Sequence, residues 1–194
     1  MLLSFMEIFD IAIMTLAVGF IFRDIFHYTP KVEVLTPEYY LRGKGKRFNW
    51  TDFWFAAAVV APSIILHEFG HKFLALAFGM TAVFSAAYLW LGIGIVLKLI
   101  SSPFLFFVPA YTAISGAGTA LQFALISFAG PAVNLIIWLG ALLIMKNHKK
   151  LKRNHYHFLF LISRINMFLF IFNMLPIPGF DGYGFFSQIF KVIF

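Results

Sequence analysis

Residues 52–78 read DFWFAAAVVAPSIILHEFGHKFLALAF, an apolar run long enough to cross a membrane, and His67-Glu68-Phe69-Gly70-His71 is set inside it. The spacing HExxH on a helix is a zinc-hydrolase signature. Two histidines four residues apart differ by roughly 40° around a helix, so both imidazoles reach one ion. Glu68, one residue on, projects from a neighbouring part of the surface, where a base for a water molecule is needed. Three ionisable side chains within five residues are expensive at membrane depth, and charge placed there marks a functional site. Pro62, about one turn before His67, bends the helix or frees a carbonyl.

Composition puts the whole chain in the same setting. Of its residues 61% are hydrophobic and 12% charged, where a soluble domain carries about 25% charged residues. The 27 phenylalanines cannot all be buried in a core this small, so many face lipid in a polytopic membrane protein. The net charge of +7 is concentrated in two inter-helix segments, 23–52 and 146–153. Basic residues flanking spans are ordinary membrane anchors. No basic stripe on a nucleic-acid fold accompanies them, so nucleic acid is not an expected partner. With no cysteine in the chain, any metal site must be built from His, Asp or Glu.

The remaining segments follow from hydropathy and helix breakers. A first apolar helix runs from about Ile8 to Phe26. No basic residue precedes it and Arg23-Asp24 stands where a cleavage site would need small residues, so it reads as a retained helix and not a signal peptide. Residues 27–52 are polar and punctuated by Pro30, Pro37, Gly43 and Gly45, as in a linker. Residues 80–118 are apolar but broken by Gly92, Gly94, Lys98, Pro103, Pro109, Gly116 and Gly118. They suit strands or a re-entrant hairpin as well as a helix, provided protein or a water cavity covers the open backbone. A third helix spans about Ala120–Met145, and a basic loop follows. A fourth spans about Phe158–Leu175 and ends in the broken segment Pro176–Gly182. The last apolar piece is shorter than the ~20 residues of a full span. The expected fold is an all-α polytopic membrane protein, a bundle of about 4–6 transmembrane helices with a membrane-associated β-hairpin or re-entrant segment at 80–118. It forms one domain over residues 1–194, in which 1–52 is a peripheral first helix and linker and 53–190 the catalytic core.

A second group of chemically capable residues lies in the broken segment. Asp181 is the only acid after Glu68, and Pro176, Pro178 and Gly179 interrupt the helix just before it. Catalytic zinc commonly takes three protein ligands and leaves one position open, and two histidines with one carboxylate is an established set. His67, His71 and Asp181 supply that set; the plainer alternative is an acid facing solvent where a helix ends. Asn134 and Asn173 are polar residues in apolar helices. They serve either as hydrogen-bond glue between helices, worth roughly 1 kcal/mol, or as donors to a developing oxyanion. Arg164 reads as a snorkelling residue.

Three motifs in order resemble the site-2 proteases, the intramembrane zinc metalloproteases of peptidase family M50. They are His67-Glu68-Phe69-Gly70-His71, then Phe128-Ala129-Gly130-Pro131-Ala132-Val133-Asn134, then Asn173-Met174-Leu175-Pro176-Ile177-Pro178-Gly179-Phe180-Asp181-Gly182. The resemblance covers roughly residues 53–190. It implies one zinc per chain held by His67, His71 and Asp181, with Glu68 as general base and Asn134, and Asn173 with it, helping to hold the substrate or its oxyanion. It also implies that the stretch before the third helix is a hairpin whose edge presents an unwound substrate strand. The expected partners are the transmembrane helix of a membrane-protein substrate and the lipid bilayer, and the expected location is the plasma membrane of a prokaryote. Tyr183-Gly184-Phe185 follows the Asp-Gly pair where many members have a further glycine and a basic residue. No soluble segment is long enough for a PDZ-like or CBS-like domain, so regulation is expected from loops, lipid or a partner.

Two rival functions use the same residues. A helix-binding pseudoprotease would have no need of Glu68. A metal transporter would need a polar path on both sides of the ligands, and further intramembrane acids or histidines are few; His148, His155 and His157 lie in the basic loop. The positive-inside rule puts segments 23–52 and 146–153 both in the cytoplasm. That holds only if residues 80–118 cross the membrane an even number of times or not at all. The resemblance implies instead that the HEFGH helix runs inwards, which puts both outside.

Overall fold

The computed structural model describes residues 3–28, 48–102, 108–148 and 150–194. Most of the polar linker expected at 27–52 therefore lies outside the described residues, as do residues 103–107. Among the described residues, six helices and one two-stranded sheet follow in the order α1 (Phe5–Phe22), α2 (Trp50–Ala77), β1 (Thr81–Ala86), α3 (Tyr88–Leu99), β2 (Ala110–Ser115), α4 (Ala120–Asn147), α5 (Arg153–Asn173) and α6 (Asp181–Ile193). Helices α1, α2, α4 and α5 are long and apolar enough to cross a membrane. The chain is a multi-pass membrane protein.

Local chemistry sets where the helices start. Ser4 caps α1, accepting from the Glu7 N–H while Glu7 accepts from the Ser4 N–H. Asn49 caps α2 through the N–H groups of Thr51 and Asp52, and Thr119 and Gln122 form a reciprocal capping box on α4. Such caps satisfy amide groups that have no partner inside the helix. Both internal prolines, Pro62 in α2 and Pro131 in α4, are carried inside continuous helices.

Helix α2 is the spine, packed against α1, α4, α5 and both strands. One core cluster joins Met14 and Val18 of α1, Val60 and Ile64 of α2, Phe84 of β1 and Leu91 of α3. Small residues let neighbours approach closely, as in other membrane bundles. A Cβ on Gly19 would sit 3.0 Å from that of Ala57, and one on Gly70 would lie 2.7 Å from the Ala129 carbonyl oxygen. The outer surface stays apolar: Ile136, Leu143, Phe168 and Phe190 are all exposed.

Residues 80–118 do form a hairpin-like sheet, with β1 and β2 antiparallel and Phe84 opposite Thr112. A helix, α3, is inserted between the strands, which the sequence left undivided. The first helix is not peripheral. Buried Glu7 pairs with buried Lys72 of α2 and accepts the Phe84 N–H of β1 at 2.8 Å. Asp10 accepts from the Ala86 N–H at 3.2 Å and from the Tyr88 hydroxyl. Two acids one helical turn apart thus hold the outer edge of β1, in place of a third strand.

Candidate metal centre

Three side chains from two distant parts of the chain converge. His67 Nε2 and His71 Nε2 are 3.1 Å apart, and Asp181 Oδ2 is 3.0 Å from the first and 3.3 Å from the second. Both histidines are buried, and Asp181 is the first residue of α6. Gly182 is needed next to it: a Cβ there would run into the backbone carbonyls of Met174 and Leu175.

The protons of this group can be assigned from its partners. His71 Nδ1 lies 2.7 Å from the carbonyl oxygen of Ile126, which can only accept. His67 Nδ1 lies 2.6 Å from Asn134 Oδ1. The orientation of that carboxamide is fixed, because Asn134 Nδ2 donates to the Ser63 carbonyl at 3.2 Å and to Asn166 Oδ1 at 2.8 Å. Asn166 is oriented in turn, donating to the Ile162 carbonyl at 2.8 Å and to Ser63 Oγ at 2.9 Å. Ser63 passes its own proton to the Val59 carbonyl. Each Nδ1 therefore carries the proton in a neutral imidazole, and each Nε2 presents a lone pair.

Two lone pairs and a carboxylate oxygen then face one another at 3.0–3.3 Å. Such a set of three acceptors could hold a metal ion. Zinc–ligand bonds of 2.0–2.1 Å in tetrahedral geometry place donors about 3.3 Å apart, which the observed spacings match. The second partner of each histidine is the kind that fixes ring orientation at metal sites.

The other expected site residues are placed less uniformly. Glu68 is buried on the side of α2 that faces the sheet, where its Oε2 lies 2.9 Å from Thr112 Oγ1. Asn134 differs from the role the resemblance implies. Both of its N–H groups are already given to Ser63 and Asn166, so it orients His67 and has no donor left for an oxyanion. Asn173 closes α5, and its side chain makes no hydrogen bond to any described residue. Sequence reasoning missed Asn166 and Thr112. Asn166 carries the same signal as Asn134, an amide at 0% exposure in an apolar helix. Gly130 has a spatial reason to be small: a Cβ there would strike the ring of His71 and come within 2.8 Å of His67 Cε1.

Residues 138–194, from the second half of α4 through Asp181 to the end of α6, match the description Peptidase family M50. The chain is also 29% identical over 176 residues to "Putative zinc metalloprotease MJ0611" of Methanocaldococcus jannaschii, covering 91% of this chain and 81% of that one. The chain is thus similar to peptidase family M50. It is further 33% identical over 139 residues to "Putative zinc metalloprotease Rip2" of Mycolicibacterium smegmatis, and 31% identical over 137 residues to the Rip2 of Mycobacterium tuberculosis. It spans about half the length of those Rip2 relatives, 52% in each case. No solved structure matches it.

Proposed function

We propose that this chain is an intramembrane zinc metalloprotease of the site-2 type, hydrolysing peptide bonds within or near transmembrane segments of membrane proteins. The observation that carries the reading is the convergence of His67, His71 and Asp181 with both histidine protons turned away from the shared point. The relatives' names support zinc, their organisms, a bacterium and an archaeon, are in keeping with a prokaryotic cell, and the four long apolar helices support its membrane.

His67, His71 and Asp181 would hold one zinc. Bound zinc supplies Lewis acidity, polarising a carbonyl and bringing the pKa of a coordinated water down to about 7. Glu68 carries the proton. Its carboxylate takes one from the attacking water as the C–O bond forms, and returns it to the amide nitrogen as the C–N bond breaks. Asn134, Asn166 and the Ile126 carbonyl keep both imidazoles in the tautomer that can bind. The substrate must reach this buried group unwound, since a helix shelters its peptide bonds; helix-breaking residues in the substrate favour cleavage.

The test begins with metal content in detergent. Wild type should hold one zinc per chain and Asp181→Ala should lose it while keeping its fold. A reconstituted single-span substrate with glycine in its span should then be cut by wild type and left whole by Glu68→Gln. A polyleucine span should be cut more slowly. Metal-free wild type after handling without chelators would overturn the reading, and so would cleavage that survives in Glu68→Gln.

A further inference from the structure

Thr112 lies in the middle of β2, opposite Phe84. The Phe84 N–H points away from β2, to Glu7. In an antiparallel ladder that makes Phe84 and Thr112 a non-hydrogen-bonded pair, so the Thr112 N–H and C=O also point outward, along the outer edge of β2. The side chain takes a different direction. With Ala110 and Ile114 it forms the more buried face of the strand, where its Oγ1 is 2.9 Å from Glu68 Oε2 and 3.1 Å from the Glu68 carbonyl oxygen. A carboxylate and a carbonyl only accept, so the hydroxyl proton is shared between them. One threonine thus holds both ends of Glu68.

The strand that carries this hydroxyl is not free to drift. Its partner β1 is pinned by Glu7 on the Phe84 N–H and by Asp10 on the Ala86 N–H, while Glu7 is itself paired with Lys72 on the catalytic helix. Position therefore passes from the α1 acids to β1, from β1 to β2, and from Thr112 to Glu68.

We propose that Thr112 is a positioning residue for Glu68, through which the sheet aims the proton carrier; this rests on the metalloprotease reading above. Misplacing a reacting group by about 1 Å costs on the order of 100-fold in rate. Thr112→Val, which keeps the shape and deletes the proton, should lower kcat by about 10- to 100-fold while leaving KM within about 2-fold and zinc content unchanged. Thr112→Ser should restore the rate.

Kinetics on the glycine-containing single-span substrate would be read beside carbon-13 NMR of chains labelled at the glutamate carboxyls. The chain has four glutamates, Glu7, Glu33, Glu38 and Glu68, and Glu68→Gln identifies the signal that matters. That signal should move in Thr112→Val and stay in Thr112→Ser. An unmoved Glu68 signal with unchanged kcat in Thr112→Val overturns the proposal. So does equal damage from serine and valine, or an effect confined to KM or to zinc content. If Glu68→Gln cleaves as well as wild type, the protease reading itself falls and the proposal falls with it. A silent Glu68 signal in an active enzyme overturns the proposal alone.

Discussion

A single methyl group at Gly130 should abolish the metal site. The Cβ of Gly130→Ala would lie 2.7 Å from His71 Cε1 and 2.8 Å from His67 Cε1. Comfortable carbon contacts begin at about 3.5 Å, so both rings must retreat by about 0.7 Å or more. A metal site tolerates errors of about 0.2 Å in its bond lengths. Moving the helices apart to make room would give up the close approach of Gly70 to the Ala129 carbonyl at the same crossing. Zinc affinity should fall by more than about 100-fold, beyond the 10- to 100-fold typical of losing a ligand's hydrogen-bond partner. Overpacking should also cost about 1–3 kcal/mol of stability. The assay is competition against a chromophoric chelator in detergent, with thermal unfolding alongside. Gly140→Ala on the same helix is the control, since nothing lies within 4 Å of a Cβ there. A folded Gly130→Ala protein with zinc affinity within about 3-fold of wild type would refute this account of the site.

Asn166→Leu removes the acceptor that orients Asn134, and zinc affinity measured by the same competition should drop about 10- to 100-fold. Lys72→Met leaves the Glu7 carboxylate buried without its cation, at a cost of about 3–5 kcal/mol in thermal unfolding; Lys72→Met with Glu7→Gln should recover part of it. The chain has no cysteine, so single cysteines at Ile100, Ala117 and Lys150 can be labelled with an impermeant reagent in sealed vesicles. Ile100→Cys and Lys150→Cys should react from one side and Ala117→Cys from the other; Ile100→Cys and Ala117→Cys reacting from the same side would contradict the fold.

Much of the candidate ligand set could be read in the sequence because its determinants are local or rare. His67 and His71 share a face through helix geometry alone, and Asp181 stands out as a lone acid in an apolar region. What supports them could not be read, because it depends on which helix meets which. Asn134 looks the same in sequence whether it faces a substrate or His67. Only the packing of α2, α4 and α5 brings Ser63 and Asn166 to its two N–H groups. Glu7 and Asp10 could be seen to flank the first helix, yet their partners lie more than 60 residues away in Lys72, Phe84, Ala86 and Tyr88. A helix that composition treats as an anchor is therefore part of what shapes the sheet.

The crossing count in the middle of the chain shows the same limit and its resolution. Two basic segments on one side require an even number of traverses between them, and the glycines and prolines of 80–118 do not say how that is met. Three contacts do. The His27 carbonyl accepts from His157 Nε2 at 3.0 Å, His27 Nδ1 lies 2.8 Å from Asp52 Oδ2, and Lys98 pairs with Asp24 at 2.7 Å. The end of α1, the starts of α2 and α5 and the end of α3 thus meet at one end of the bundle, the basic end. Six residues of β1 and twelve of α3 climb about 20 Å and 18 Å, enough together for a hydrocarbon core of about 30 Å. The chain has returned to the far end by Thr119, where α4 begins. Among the described residues, β1 and α3 thus lead toward the basic end, and β2 and the start of α4 lie toward the other. The ligand turn lies six to ten residues from the C-terminal end of α2, about 9–15 Å along its axis. The candidate metal ligands and the α1 clamp consequently lie toward the end of the bundle opposite the starts of α2 and α5.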